Sequence, residues 1–208
     1  MNNTATTFTE DRAGTGTKEW SDHSYNISLG CAHDCGYCYA RSIARHFGRI
    51  ARISDWAEET LIHQKVAASS RRFSGVVMFP TTHDITPGLL PAALQTLRGL
   101  LAAGNSVLVV SKPHLDVVRA LCTELVPHKA NLQFRFTIGS GNAATCALWE
   151  PGAPPPEERI SALGFAFEQG YATSVSMEPM LEDNDAMCAL AARVDPLVTG
   201  TIDRKSVV

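Results

Sequence analysis

Short apolar runs and helical stretches take turns along this chain, and that alternation restricts its fold more than any other feature. Gly75 to Pro80, Ser106 to Ser111, Asn131 to Ile138, Ala172 to Ser176 and Pro196 to Ile202 read as strands. Two of them contain fully apolar segments, Val76-Val-Met-Phe79 and Val107-Leu-Val-Val110. Between them lie helical stretches at Pro87 to Ala103, Pro113 to Val126, Pro155 to Gln169 and Asn184 to Arg193. Tyr25 to Leu29 is a sixth strand candidate, followed by helical stretches at Tyr39 to Phe47 and Asp55 to Arg71. Apolar strands separated by single helices imply right-handed βαβ units and a parallel sheet covered on its faces. Periodicity alone allows a partial (β/α)6 barrel or an open doubly wound sheet.

Composition fits one such α/β domain. The 208 residues are 45% hydrophobic and 19% charged, which is enough for one substantial core and unlike a disordered chain. No apolar run approaches the roughly 20 residues that span a bilayer, so no membrane partner is expected. Met1 to Lys18 is polar and Thr-rich without a basic-then-apolar pattern, and reads as a flexible arm before a core domain at 19–208. A cytoplasmic location follows. The net charge of −3 argues against the broad electrostatic grip of a non-specific nucleic-acid binder and leaves local basic clusters open.

Of the 6 cysteines, three crowd into Cys31-Ala-His-Asp-Cys35-Gly-Tyr-Cys38, a C-x3-C-x2-C loop directly after the first strand. Thiolates so close repel one another unless a cation or oxidised iron neutralises them. Structural zinc normally takes four protein ligands in two separated pairs, whereas a cubane held by three cysteines leaves one iron open. Zinc completed by His33 would need adjacent coordinating side chains within one tight loop, against the usual spacing. Disulfides fit poorly, because nothing else in the chain has a secretory pattern. Cys122 and Cys188 fall in helices as small hydrophobes, while Cys146 lies in the loop after the fourth strand, where packing and catalysis are both open.

The cysteine spacing, with the aromatic Tyr37 before the third cysteine, resembles the signature of the radical S-adenosylmethionine (SAM) superfamily. The wider strings Tyr25-Asn-Ile-Ser-Leu-Gly-Cys31 and Gly36-Tyr-Cys-Tyr-Ala-Arg41 are most similar to its spore-photoproduct-lyase-like branch, the DNA-repair-photolyase group. The resemblance implies a partial (β/α)6 TIM-like barrel with the cluster loop after its first strand. It implies a [4Fe–4S] cluster on Cys31, Cys35 and Cys38 whose fourth iron binds the amino and carboxylate groups of SAM. Reductive cleavage of SAM would then give a 5′-deoxyadenosyl radical that takes hydrogen from a substrate, a nucleobase or nucleotide if the resemblance extends that far. An electron donor such as a flavodoxin or ferredoxin is implied as partner. Val208 lies just past the sixth strand with no final helix, which reads as truncation or as a barrel closed differently.

Ligands of parallel α/β folds gather at the carboxyl ends of strands. Thr82, His83 and Asp84 follow the second strand, where the superfamily meets the SAM amino group, although helix capping before Pro87 accounts for them equally. Ser111 and Lys112 end the third strand, resembling the branch in which a lysine meets the carboxylate or ribose of SAM. Ser140, in Ile138-Gly-Ser-Gly141, offers a hydroxyl to a ribose. Trp149-Glu-Pro-Gly-Ala-Pro resembles a segment of the same branch, and proline stiffening explains it too. Glu178 stands at the end of the fifth strand between apolar neighbours, as a substrate contact or as the partner of a buried arginine. Tyr37 and Tyr39 match the hydrogen-relaying tyrosines of the branch. The cysteine that accompanies them after the second strand has no counterpart here, where Thr81 and Thr82 stand, so the resemblance does not extend to the lyase's full set of hydrogen-relaying residues.

Arg41, Arg45, Arg49 and Arg52 would share one stripe with His46 if their helix ran through Gly48, giving a local footprint for phosphates. The plainer reading is a solvated face balanced by Asp55, Glu58 and Glu59. The alternative from another functional class is a non-enzymatic metal-binding or electron-transfer module built on the same three cysteines.

Overall fold

The computed structural model describes residues 16–206, with side chains through Asp203. Most of the arm expected over 1–18 therefore lies outside the described residues; Gly16–Glu19 forms a 3-10 turn. The elements that follow are β1 (His23–Ser24), β2 (Ser28–Leu29), α1 (Tyr39–His46), a 3-10 turn at Ile53–Ala57, β3 (Thr60–Leu61) and α2 (His63–Ala67). Then come β4 (Val76–Phe79), α3 (Leu90–Ala102), β5 (Ser106–Ser111), α4 (Leu115–Glu124), β6 (Leu132–Thr137), α5 (Ala143–Trp149), α6 (Pro156–Glu168), β7 (Ala172–Met180), α7 (Asn184–Val194) and β8 (Ile202–Ser206). Six strands form one sheet in the order β1-β4-β5-β6-β7-β8, every neighbouring pair parallel. This is a partial TIM-like barrel, with β2 and β3 as a separate antiparallel pair beside it.

The two-residue period of the strands divides the core. Val77 and Phe79 of β4, Val107 and Val109 of β5, and Phe134 and Phe136 of β6 join the large cluster beneath the helices. From α3 that cluster receives Ala93, Leu97, Leu100 and Leu101, an apolar stripe at helical spacing. The intervening Val76, Met78 and Leu108 face the other way and pack with Trp20 and Val110. On β6 that second face turns polar. The Arg135 guanidinium lies 3.4 Å above the Trp20 ring centroid and 3.4 Å from Asp203 of β8.

Four expected segments differ. The first sheet strand is His23–Ser24, not Tyr25 to Leu29: Tyr25 still donates to the Met78 carbonyl at 2.9 Å, after which the chain leaves the sheet and pairs Ser28 and Leu29 with Leu61 and Thr60. The helix expected over Asp55 to Arg71 is broken into a turn, β3 and short α2, because Thr60 and Leu61 are drawn into that pairing. The loop expected after the fourth strand, around Cys146, contains α5, nucleated by the Asn142 side chain accepting from the amides of Ala144 (2.9 Å) and Thr145 (3.4 Å). The last strand is Ile202–Ser206, since Asp195–Leu197 forms a 3-10 turn where Pro196 to Ile202 was expected to be strand.

Candidate active site

The cysteine loop is held from two sides. Gly30 has φ +92°, and a Cβ there would lie 2.1 Å from the Glu58 carbonyl oxygen, so glycine is required. The Cys31 amide donates to Trp56 O (2.8 Å), the Ala32 amide to Glu59 Oε1 (3.2 Å), and Glu59 Oε2 accepts from Thr86 Oγ1 (2.7 Å). From the other side, Gly36 N donates to Trp149 O (2.7 Å) and Gly152 N to His33 O (3.1 Å). A Cβ on Gly152 would stand 2.1 Å from Ala32 O, so this approach also depends on glycine. Arg41 closes the loop through Asp34 Oδ1 (2.9 Å) and Gly36 O (2.8 Å). Cys38 is the N-cap of α1, its sulfur accepting the Arg41 amide at 3.4 Å.

Cys31 and Cys35 are buried and Cys38 is half-buried. Burial pushes the Cys31 thiol far up, helped by the Asp84 charge, and raises Cys35 to about 11 despite nearby Lys112. Thiols in such surroundings become thiolates when a cation binds, so the donor set suits a metal centre. Cys31, His33 and Asp84 bring ligand atoms within 4.8 Å of one another, and Cys35 and Cys38 are not part of that close set.

Asp84 is the hub beside them. Its Oδ1 accepts from the Lys112 amide (2.7 Å) and Ser111 Oγ (3.0 Å), while Oδ2 bonds His33 Nδ1 at 2.8 Å and lies 3.6 Å from Lys112 Nζ. Burial alone would raise its carboxyl; Lys112 and His33 outweigh that and hold it well below the usual carboxylate range. His33 Nε2 in turn bonds His114 Nε2 at 2.9 Å. The Lys112 ammonium sits 5.7 Å from the Tyr37 ring centroid, and Asp84, Tyr37, Cys35 and Glu150 keep it protonated against burial. The Tyr37 hydroxyl donates to Glu150, which forms a fully buried ion pair with Arg159. Tyr39 donates to the Thr81 carbonyl at 2.5 Å, and its phenol is raised by burial and by the charges of Cys38 and Glu178.

The expected site residues therefore divide. Asp84, Ser111, Lys112 and Tyr37 gather beside Cys31 and Cys35. Thr82 stands half-buried in a turn held by Asn26, whose Oδ1 accepts the amides of Thr81 (2.7 Å) and Thr82 (3.0 Å). Both His83 ring nitrogens are engaged with backbone, Nε2 accepting from Ile27 (3.1 Å) and Ser28 (3.3 Å) and Nδ1 donating to Asp84 O (2.9 Å). The Ser140 hydroxyl is fully buried and accepts the Asn142 amide at 2.8 Å. Glu178 is exposed at the end of β7 rather than buried with an arginine. Cys146 belongs to helix α5 and packs inward, its thiol 3.9 Å from the Ser140 carbonyl oxygen. Asn26, Glu59, His114, Glu150 and Arg159 support the site without having been singled out by spacing. Asn26 and Glu150 carried a signal, as parts of the Tyr25-Asn-Ile-Ser-Leu-Gly-Cys31 and Trp149-Glu-Pro-Gly segments, and Glu59 read only as a balancing charge.

The same architecture occurs in solved proteins. A spore photoproduct lyase double mutant with bound AdoMet and dinucleoside spore photoproduct superposes with a TM-score of 0.65 over 93% of this chain, at 17% identity. A single mutant with dinucleoside spore photoproduct gives 0.64 over the same share. This chain has the fold of spore photoproduct lyase. It spans 56% of the lyase chain. An uncharacterized protein of Acidianus two-tailed virus, ORF301, is 30% identical over 180 residues, which is 80% of this chain and 59% of the viral protein. No family model matches the sequence. Among the described residues no helix is long and apolar enough to cross a membrane.

Proposed function

We propose that the chain is the core of a radical SAM enzyme in which Cys31, Cys35 and Cys38 hold a [4Fe–4S] cluster. The observation that carries this reading is the cysteine loop itself. Three thiols lie on one clamped loop, beside Lys112 and Asp84. When bound, the cluster would supply the electron that cleaves SAM to a 5′-deoxyadenosyl radical. Lys112 presents an ammonium suited to the carboxylate of SAM, and Asp84 fixes that ammonium and the loop together. With the His83 ring and the Ser140 hydroxyl engaged by backbone, Thr82 and the Thr81–Asp84 turn are the remaining contacts for the amino acid end of SAM on that side. Tyr37 and Tyr39 stand next to the ligands, and Glu178 marks the open rim near Tyr39.

A nucleobase- or nucleotide-containing substrate is the class we favour, because the lyase of the same fold was solved with a dinucleoside. Thr81 and Thr82 supply no thiol as hydrogen donor where the branch has a cysteine, so the reaction completed on that substrate is left open here. Anaerobic reconstitution with iron and sulfide, then incubation with SAM and dithionite, tests the proposal by formation of 5′-deoxyadenosine. The second reading is a non-catalytic site for a single zinc ion, favoured by the close set Cys31, His33 and Asp84. It predicts one tightly held zinc, lost in a His33→Ala variant, and no cleavage of SAM.

A further inference from the structure

We propose that His114 is a positioning residue of the site: acting through His33 and Asp84, it holds the Lys112 ammonium where that group meets the carboxylate of SAM. The inference rests on the radical SAM reading for what Lys112 binds, and on geometry alone for what holds Lys112. His114 follows Lys112-Pro113 at the start of α4, and Pro113 restricts Lys112 to extended backbone. Although His114 occupies the N-cap position, its ring makes no capping bond; the Leu115 amide donates instead to Glu158 Oε1 at 3.1 Å. The ring is turned towards the cysteine loop, where its Nε2 lies 2.9 Å from His33 Nε2.

The contacts close on themselves. Asp84 is ionised and can only accept, so His33 Nδ1, 2.8 Å from Asp84 Oδ2, donates to it. Asp84 Oδ1 is pinned by the Lys112 amide and Ser111 Oγ, which leaves Oδ2 to His33 and to Lys112 Nζ at 3.6 Å. From Lys112 the backbone leads back to His114. The cysteine loop, the turn after β4 and the start of α4 are thus joined through their side chains. His33 is 1% exposed, so solvent cannot replace a partner lost at its Nε2. Without His114 the His33 imidazole keeps an anchor only at Nδ1 and swings about it, and Asp84 Oδ2 and the ammonium shift with it. His114 acts at a distance: the ring centroids of the two histidines are 5.1 Å apart, and His33 and Asp84 stand between His114 and the ammonium.

The test uses the full chain after anaerobic reconstitution, as wild type and as His114→Leu, His114→Asn and His114→Gln. Glutamine carries an amide nitrogen to the place of Nε2, whereas asparagine reaches only to that of Nδ1 and, as a good N-cap, preserves the start of α4. The decision therefore rests on His114→Asn against His114→Gln, whether or not His114→Leu folds. Acetylation of Lys112 by N-hydroxysuccinimidyl acetate, read by peptide mass spectrometry against exposed Lys65, should quicken about fivefold in His114→Leu and His114→Asn and return to the wild-type rate in His114→Gln. Equilibrium dialysis should show the SAM dissociation constant raised about tenfold in the first two variants and restored in His114→Gln, with iron per chain unchanged throughout. Equal labelling of Lys112 in wild type and His114→Asn would overturn the inference, as would a His114→Gln variant that behaves like His114→Asn. A wild type that binds no SAM, with Lys112 labelling raised in His114→Asn and restored in His114→Gln, would overturn the radical SAM reading and leave His114 in its positioning role.

Discussion

Glu150 and Arg159 meet in an ion pair from which solvent is wholly excluded, and the free side of the Glu150 carboxylate takes the Tyr37 hydroxyl. Arg159 also donates to the carbonyl of Pro154 at 2.7 Å, so α6, the α5–α6 connection and the cysteine loop meet at one charge pair. Removing one member strands the other. Glu150→Ala or Arg159→Met should each cost about 3–5 kcal/mol of unfolding free energy in urea, with the double replacement costing less than the sum. Strict additivity would show that the pair is not coupled.

His83 makes stability depend on pH. Burial lowers its pKa below the ordinary 6.5, and the neutral ring is needed because Nε2 accepts the Ile27 and Ser28 amides. The unfolded chain takes up a proton near pH 6.5, and the folded one resists doing so until lower pH. The contribution is therefore complete above about pH 6.5 and is lost as pH falls towards the folded value, with a slope of at most about 1.4 kcal/mol per pH unit. Urea melts from pH 5 to 8 should show this loss in the wild type and a shallower dependence in His83→Asn. An identical slope in both proteins would remove His83 from the account.

Gly30 and Gly152 let the backbone close around the cysteine loop, each with a carbonyl oxygen 2.1 Å from where a Cβ would be. Gly152→Ala should push the loop away from its support and lower iron and sulfide per chain after reconstitution by more than half, while far-UV circular dichroism stays unchanged. Full cluster loading in the variant would show that this contact is not needed to place the ligands.

What the sequence disclosed and what it hid follow from the range of the interactions. β5 is found at Ser106–Ser111 as read, because a short apolar run bounded by Asn105 and Lys112 carries its own signal. The cysteine loop is equally local. The stretch after Asp55 has the pattern of one helix but does not form it, because Ser28 and Leu29, some thirty residues earlier, pair with Leu61 and Thr60 as strand. The arginine stripe likewise assumed a helix through Gly48. That residue has φ +64°, α1 stops at His46, Arg41 is bound to Asp34 and Arg52 to Asp55, so the four guanidinium groups do not share one face. Glu150 and Arg159 sit in a proline-rich connection and on a helix, and no periodicity marks two residues that meet only when the chain has closed on itself.

The central claim, that Cys31, Cys35 and Cys38 together hold a cluster able to cleave SAM, is tested most directly by 5′-deoxyadenosine formation in the anaerobically reconstituted protein. The wild type with dithionite and SAM should yield it, and Cys31→Ala, Cys35→Ala and Cys38→Ala should each abolish both the product and the brown chromophore, with Cys122→Ala and Cys188→Ala behaving as wild type. A wild-type protein that binds one zinc and yields no 5′-deoxyadenosine, or a chromophore that survives the loss of Cys35 or Cys38, would contradict it.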